Sequence, residues 1–296
     1  MYKQCVKARQ IGLIRFFSLI PCLLAFVFLI AFPSVVFPQE LEMINRPVNT
    51  SGLTGLLVTT TPFTLPTRSF EIAVAGLSEN STTPDFTTTE LPVITITYGI
   101  ARNMEVCFKG SYYEITEISG NKVRGLGDSE LSYKWNFLPQ KEDSLFPAVA
   151  LIITGIIPTS SEDTALKEVH HWGTRLGLSA GSEITLGTYV LGIYTDGQVV
   201  VQDVSDDNSR DSYGIVDAGL LFPISKYRNL QMLLEYTIVN GKNKITVSGG
   251  NYSAITPGLR LVNERFNISI GIQFLHKQTP GYEDSSRVIG MMSFKF

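Results

Sequence analysis

The amino-acid sequence predicts an all-β protein: a transmembrane, antiparallel, up-and-down β-barrel of about twelve strands, preceded by a cleavable signal peptide. Three observations predict this fold. Apolar residues alternate with polar residues over most of the chain after residue 68, and the links between the alternating segments are short and long in turn. The chain also ends inside its last alternating segment, on Phe296. Together these features are typical of a barrel in the outer membrane of a Gram-negative bacterium.

The alternation has the period of a β-strand, because successive side chains of a strand point to opposite faces. In Asp128–Leu138, for example, Leu131, Tyr133, Trp135 and Phe137 alternate with Glu130, Ser132, Lys134 and Asn136. The segment Ala148–Pro158 differs, since both of its faces are apolar. The predicted strands are Ser69–Leu77, Leu91–Tyr98, Met104–Tyr113, Asp128–Leu138, Ala148–Pro158, Gly173–Gly181, Leu186–Tyr194, Tyr213–Phe222, Leu230–Val239, Tyr252–Val262, Phe266–His276 and Arg287–Phe296.

The links between these segments carry independent information. Outer-membrane barrels have short periplasmic turns and longer outside loops, and an even number of strands returns both termini to the periplasmic side. The short links are Gly99–Asn103, Pro139–Ser144, Ser182–Thr185, Ser225–Asn229 and Asn263–Arg265. The long links are Ser78–Glu90, Ile115–Gly127, Thr159–Trp172, Thr195–Ser212, Asn240–Asn251 and Lys277–Ser285. Their strict alternation favours a membrane barrel over a soluble sandwich.

The N-terminus reads as an export signal. Lys3, Lys7, Arg9 and Arg15 precede an apolar run from Phe16 to Phe37, which is the order of a secretory signal peptide. An uncleaved inner-membrane anchor and lipoprotein processing at Cys22 are the alternatives. We therefore expect a signal peptide over residues 1–38, a periplasmic N-terminal extension or plug segment over 39–68, and the barrel over 69–296.

Composition excludes several classes of function. The net charge is −3 and the basic residues are scattered, so the sequence has no footprint of nucleic-acid binding. Cys107 is the one cysteine outside the signal, which excludes an intramolecular disulfide and a thiolate metal cluster in the mature chain. No cofactor is predicted. The partners that we expect are outer-membrane lipid, the barrel-assembly machinery and a small-molecule solute.

The candidate site residues are charged side chains on the faces opposite the apolar ones. Lys or Arg facing lipid at mid-bilayer costs about 2–4 kcal/mol, so these charges are expected to face the lumen. They either satisfy one another as a plugging network or line a narrow polar pore. The residues are Glu71, Glu105, Lys109, Glu130, Lys134, Arg175, Asp217, Glu235, Arg260, Arg287 and Lys295.

The strand ends carry aromatic residues that suit the two membrane interfaces, among them Trp135, Tyr194 and Tyr252. The last strand places Val288, Gly290, Met292, Phe294 and Phe296 on one face. A terminal phenylalanine in such a strand resembles the signal that the barrel-assembly machinery reads. We therefore predict that Phe294 and Phe296 form this signal.

No catalytic or metal-binding constellation is evident. Serine hydrolysis needs a serine activated by an oriented histidine, and neither a G-x-S-x-G motif nor the His…Ser motif of outer-membrane phospholipases occurs. His170 and His171 are adjacent, so on a strand they would point to opposite faces and would not share a metal. The carboxylates Asp203, Asp206, Asp207 and Asp211 lack the spacing of a calcium loop. The sequence predicts that the protein is not an enzyme.

Four stretches resemble a known family: "TGLLVTTTPFTLPTRSFEIAV" (54–74), "YGIARNMEV" (98–106), "GLGDSELSYKWNFL" (125–138) and "PAVALIITGIIPT" (147–159). They are similar to Gram-negative outer-membrane transporters of the phenol-degradation meta-pathway group. The resemblance implies a barrel that takes up small compounds, often aromatic or hydrophobic. A non-conducting barrel that recognises partners through its outside loops is the alternative.

Overall fold

The computed structural model describes residues 46–82, 85–117, 122–141, 146–160, 172–186, 189–204, 209–224, 229–241, 251–278 and 283–296. The predicted signal peptide, residues 1–38, lies outside these residues. The strands are β1 (Phe70–Thr82), β2 (Asp85–Ala101), β3 (Met104–Glu117), β4 (Lys122–Leu126), β5 (Ser129–Leu138), β6 (Ala148–Ile157), β7 (Gly173–Leu186), β8 (Tyr189–Val204), β9 (Ser209–Pro223), β10 (Leu230–Gly241), β11 (Tyr252–Val262), β12 (Phe266–Lys277) and β13 (Ser285–Lys295).

These strands form one closed antiparallel barrel of twelve strands, which confirms the predicted fold class. The segments β4 and β5 both pair with β3, through Tyr112↔Leu126 and Met104↔Trp135, so they are two parts of one barrel strand. All other pairings join neighbours along the chain, until β1 pairs with β13 and closes the barrel. None of the described residues forms a helix long and apolar enough to cross a membrane.

The first strand of the barrel begins, and the last strand ends, at the same end of the barrel. The Phe70 amide donates to the Phe296 carbonyl at 3.0 Å, and the Phe296 amide donates to the Phe70 carbonyl at 2.8 Å. The strand ends Ala101 and Met104, Leu186 and Tyr189, and Val262 and Phe266 lie at this same end, which we call the turn end. The opposite end, where β1 ends at Thr82, β6 at Ile157 and β12 at Lys277, we call the loop end.

The outer face of the barrel is apolar. Along β12, Ile268, Ile270, Ile272 and Phe274 are 44–55% exposed, while the intervening Ser269 and Gln273 are buried inside. The same alternation occurs on β5 and β10, as the sequence period predicts. A belt of exposed isoleucine, leucine and phenylalanine around a closed sheet is what a lipid bilayer stabilises.

Three of the predicted long links are wrong in detail, because the strands continue through them. Within Ile115–Gly127, β3 and β4 pair as far as Thr116↔Lys122. Pairing between β1 and β2 reaches Thr82↔Asp85, so most of Ser78–Glu90 is strand. Pairing between β8 and β9 reaches Val204↔Ser209, so most of Thr195–Ser212 is strand as well. Outside the membrane a strand can pair through its backbone without an apolar face. The sequence of these strand ends therefore lacks the alternation from which strands were predicted.

The occupied lumen as candidate functional site

The chain before β1 fills the middle of the barrel. We call residues 46–66 the inner segment. Five of its apolar side chains are 0–2% exposed, although the segment belongs to no strand of the barrel: they are Val48, Leu53, Leu56, Leu57 and Leu65. Two isolated bridges, Val48↔Thr54 and Gly55↔Thr60, fold it back on itself. The side-chain amide of Asn49 donates to the Val58 carbonyl and to the Thr60 hydroxyl inside this fold.

Glu235 on β10 binds the inner segment through three consecutive backbone amides. The amide of Leu57 donates to one carboxylate oxygen at 3.1 Å, and those of Val58 and Thr59 donate to the other at 2.9 and 2.6 Å. Glu235 is 1% exposed. A buried carboxylate is costly unless hydrogen bonds satisfy it, and here the donors are main-chain groups.

Glu105 on β3 and Lys134 on β5 bind the segment as a buried ion pair. The Lys134 ammonium lies 2.8 Å from a Glu105 oxygen, and both side chains are 0% exposed. Glu105 also accepts the backbone amides of Thr54 and Leu65, each at 2.8 Å, and the Thr54 hydroxyl. Lys134 donates to the carbonyls of Thr54 and Thr61, each at 3.0 Å. The pair therefore clamps two separate turns of the inner segment.

Three further charged wall residues bind the segment. Glu71 accepts the Val48 amide at 3.2 Å, and Asp196 accepts the Thr60 amide at 2.8 Å. Arg260 donates to the Gly55 carbonyl at 3.1 Å and to the Ser269 hydroxyl. The charged residues that touch the inner segment thus bind mainly its main chain.

Apolar wall residues pack around the same segment. Leu56 and Leu57 form one buried cluster with five inward-facing residues on four strands: Val190, Tyr194, Leu221, Leu233 and Ile289. Leu53 contacts Cys107 and Ile152, which explains why both faces of β6 are apolar. At Gly219 and Gly271 the wall has no side chain, and a Cβ there would overlap Leu56 and Leu57. The wall is therefore shaped to the segment.

At the turn end, Arg46 begins the inner segment. Its guanidinium pairs with Glu183 on β7 and lies 3.7 Å from the centroid of the Phe63 ring. Tyr194 donates its hydroxyl to Glu183 at 2.7 Å. A cavity of 390 Å³ beside this group is lined by Arg46, Phe63, Leu65, Arg102, Gln140 and Glu183 among others.

At the loop end, a second cavity of 170 Å³ lies on the other side of the inner segment. We call it the loop-end chamber. Thr50, Ser51 and Thr60 form its floor, and Lys109, Arg175, Asp217 and Arg287 contribute charged lining. Lys109 and Arg175 both pair with Glu130, at 3.2 and 3.3 Å. Arg287 and Lys277 both pair with Glu79, at 2.8 and 2.9 Å.

The predicted charged residues lie at three places in the barrel: around the inner segment, around the loop-end chamber and at the turn end. Glu71, Glu105, Lys134, Glu235 and Arg260 contact the inner segment, whereas Lys109, Glu130, Arg175, Asp217 and Arg287 surround the loop-end chamber. Asp217 accepts the Thr237 hydroxyl there. Lys295 is half-buried at the turn end, opposite Glu71 in the β1–β13 register.

Sequence reasoning missed Glu79, Glu183 and Asp196. All three were assigned to links, because their strands were predicted too short. It also placed Tyr194 and Tyr252 at the membrane interfaces, and this is wrong: Tyr194 is 2% exposed inside the barrel, and Tyr252 lines the loop-end chamber. Exposed aromatic rings that contact one another on the outer face include Trp135 with Phe137 and Tyr189 with Phe222.

Other predicted positions lie at the edges of the structure. Phe294 and Phe296 are 43% and 73% exposed on the outer face at the turn end, with Phe296 against Phe70. His170, His171, Asp206 and Asp207 lie outside the described residues, as do the side chains of Asp203 and Asp211. Among the side chains that the structure describes, no group of three or more His, Cys, Asp or Glu could hold a metal ion.

His276, the remaining histidine, lies at the loop end on the surface. Its ring nitrogen is 3.0 Å from Asp284, and both side chains are about two-thirds exposed. The hydrogen bond from His276 lowers the pKa of the Asp284 carboxyl below its ordinary value. An exposed pair of this kind orients no nucleophile and adds little to stability.

Comparison with known proteins gives the fold a context. No family model matches the sequence, and no curated protein matches it. An outer-membrane channel from Pseudomonas putida F1 superposes with a TM-score of 0.60 at 10% identity, covering 79% of this chain and 98% of that one. The porin NanC gives a TM-score of 0.51 at 14% identity, covering 76% and 100% of the two chains. The porin KdgM gives 0.51 at 7% identity, covering 76% and 99%.

The protein has the fold of an outer-membrane β-barrel. The apolar belt, the closed twelve-stranded sheet and the fold shared with these structures agree on this. At identities this low the likeness concerns the fold alone, and the interior must be interpreted from the residues of this chain.

Proposed function

We propose that the protein is an outer-membrane channel for small molecules. One observation carries the proposal: a single polar lumen holds a cavity at each end, and the inner segment lies between them. Thr50, Ser51 and Thr60 face the loop-end chamber, and Phe63, Thr64 and Leu65 face the turn-end cavity. Displacement of one short segment would join the two cavities into a continuous path.

The size and lining of the loop-end chamber support a solute of about one ring. A cavity of about 150 Å³ is large enough to hold benzene, and the chamber measures 170 Å³. Its apolar side includes Val93, Ile215 and Ile289, and its polar side includes Lys109 and Arg175. We propose small aromatic or hydrophobic compounds with a polar substituent, in agreement with the resemblance to transporters of the phenol-degradation group.

A narrowing substitution in the chamber tests the path. We expect Ile215→Trp to lower single-channel conductance about tenfold, equivalent to a barrier increase of about 1.4 kcal/mol, since a Trp side chain would fill the chamber. The matched control is Leu220→Trp on the lipid face of the same strand, where the residue is 41% exposed. Equal conductance of both variants, measured in planar bilayers, would contradict a path through the chamber.

The filled lumen favours the second candidate, a non-conducting barrel that binds partners through its outside loops. This candidate predicts that neither the full chain nor a variant without the inner segment produces single-channel currents in planar bilayers. Reproducible openings in either protein would contradict it. The channel proposal predicts openings in both, more frequent in the shortened variant.

We further propose that Phe294 and Phe296 are recognised by the barrel-assembly machinery in the periplasm. Phe296→Ala is expected to reduce the folded barrel in the outer membrane of cells several-fold while leaving refolding in detergent unchanged. The reason is that the ring is 73% exposed, while its strand pairing uses backbone groups. Phe296→Tyr is the control that keeps an aromatic ring. Equal losses in cells and in detergent would indicate a structural role instead.

A further inference from the structure

The polar contacts between the wall and the inner segment are made almost entirely to main-chain atoms. Carboxylates of Glu71, Glu105, Asp196 and Glu235 accept backbone amides, and donors on Thr97, Lys134, Ser179 and Arg260 reach backbone carbonyls. The exceptions include the Thr54 hydroxyl on Glu105, the Arg46–Glu183 pair and the Thr64 hydroxyl, which donates to the Arg102 carbonyl at 3.5 Å. Acceptors and donors of this kind suit any extended or turned peptide, whatever its side chains.

Such a wall is unlike a permanent core. Dehydrating a charged side chain costs free energy, whereas dehydrating an apolar one is favourable, and well-packed apolar residues of the same volume often stabilise a fold better. Charged wall groups are suited to a segment that leaves, because water would solvate their carboxylates, ammonium and guanidinium in its absence. The contacts are therefore those of a binding site with a bound ligand.

The path of the inner segment permits it to leave. It enters beside Glu183 and returns to β1 at Pro66, both at the turn end, so withdrawal needs no threading through the barrel. The turn between the inner segment and β1 contains Arg68 with φ at 65°, a left-handed backbone conformation that is rare for such a residue. The Arg68 amide donates to the Gly99 carbonyl at 2.7 Å, and the Ser69 amide donates to the Pro66 carbonyl at 3.0 Å. These bonds fix the turn to the barrel, so withdrawal concerns the residues before Pro66.

We propose that the lumen wall is a binding site for a peptide main chain, and that the inner segment is its exchangeable occupant. The segment binds through its amides and carbonyls, closes the lumen while bound, and withdraws through the turn end. That withdrawal opens the lumen to solutes rests on the proposed channel function. Binding of the segment to the wall can be measured independently of conductance.

Cys107 reports directly on the occupancy of this site. Its thiol is 1% exposed on the wall, packed against Leu53 and 3.8 Å from the Ser51 carbonyl. With Cys5 and Cys22 replaced by serine, thiol labelling of the folded full chain reports withdrawal of the segment whether or not ions pass. Glu235→Gln keeps the shape but removes the charge that three amides share. We expect Cys107 labelling to become about tenfold faster in that variant.

The matched control is Glu79→Gln. Glu79 is another buried carboxylate of the wall, 3% exposed, but its partners Lys277, Ser285 and Arg287 belong to the barrel. Cys107 should be labelled at the same rate in the Glu79→Gln variant as in the parent chain. Equal rates in all three proteins, or equal acceleration in both variants, would overturn the proposal and indicate general loosening of the barrel.

A synthetic peptide provides the second measurement. Added to a variant that lacks residues 46–65, the peptide of residues 46–66 should protect Cys107 from labelling. A peptide methylated at the amide nitrogens of Val58 and Thr59 keeps all side chains but loses two donors to Glu235, and we expect about tenfold weaker protection. Equal protection by both peptides would mean that side-chain packing holds the segment.

The two proposals fail differently. A shortened variant that conducts but is protected by neither peptide would refute the binding site and leave the channel standing. A silent variant whose Cys107 the unmodified peptide protects would refute the channel and leave the binding site standing. If the shortened variant does not fold, the Cys107 labelling rates of the full-length Glu235→Gln and Glu79→Gln variants still test the binding site.

Discussion

Replacing Lys134 by methionine is expected to lower the free energy of unfolding of the barrel by about 3–5 kcal/mol, because it leaves a buried carboxylate without its charged partner. Lys134 and Glu105 are each 0% exposed and 2.8 Å apart. The substitution also removes the donor that reaches the Thr54 and Thr61 carbonyls. Methionine has nearly the same length, so packing changes little. Denaturant unfolding of the barrel in lipid vesicles measures the loss.

A double-mutant cycle isolates the charge. Removing both partners, with Lys134→Met and Glu105→Gln together, should cost less than the sum of the single losses, because no unpaired charge then stays buried. Lys109→Met provides a comparison at a pair whose side chains are 18% and 11% exposed, and its loss should be smaller. Strict additivity in the cycle would contradict the account of the clamp.

The second large effect is expected on the lipid face. Ile270→Arg should destabilise the barrel by about 2–4 kcal/mol, the cost of an arginine near the bilayer midplane. Ile270 lies near the middle of β12, is 55% exposed, and has the buried Ser269 as its neighbour. Unfolding in vesicles again provides the measurement.

Two controls define the membrane in this test. Ile270→Leu keeps an apolar surface and should be nearly neutral. Leu230→Arg, at the first residue of β10 near the turn end, should cost only about 0–1 kcal/mol, because the cost falls toward the interfaces. Equal costs at both arginine positions would mean that β12 does not lie at mid-bilayer.

The barrel itself could be predicted from the sequence because lipid imposes a strict period. Each strand in the membrane must show an apolar residue at every second position, and segments such as Phe266–His276 do so without interruption. The strand ends could not be found in this way. The ends of β1–β2 and β8–β9 do not alternate regularly between apolar and polar residues, and pairing such as Thr82↔Asp85 leaves no periodic pattern in the sequence.

The occupant of the lumen was harder to predict, for a different physical reason. Wall groups recognise backbone amides of Leu57, Val58 and Thr59, and every residue except proline has such an amide. A signal was nevertheless present. Inward positions of a water-filled lumen should be polar, but Ile152, Leu221 and Leu233 occupy inward positions and contact the inner segment or its neighbours. Apolar residues on the inner face predict that something apolar fills it.

The presence of the inner segment in the lumen also changes how the interior charges are interpreted. The sequence offered two alternatives, a self-satisfying network and a pore lining. The triad of Lys109, Glu130 and Arg175 fits the first. Glu235 fits neither, because its partners are three amides of the inner segment. A charge on a lumen wall can therefore be present to hold peptide.

The central claim is that a short segment of this chain closes an otherwise continuous channel. It is tested most directly by recording planar-bilayer currents from the refolded full chain and from the same chain without residues 46–65. The account predicts rare openings for the full chain, and a persistently open conductance for the shortened one that the added peptide of residues 46–66 blocks. A folded shortened barrel that never conducts would contradict it.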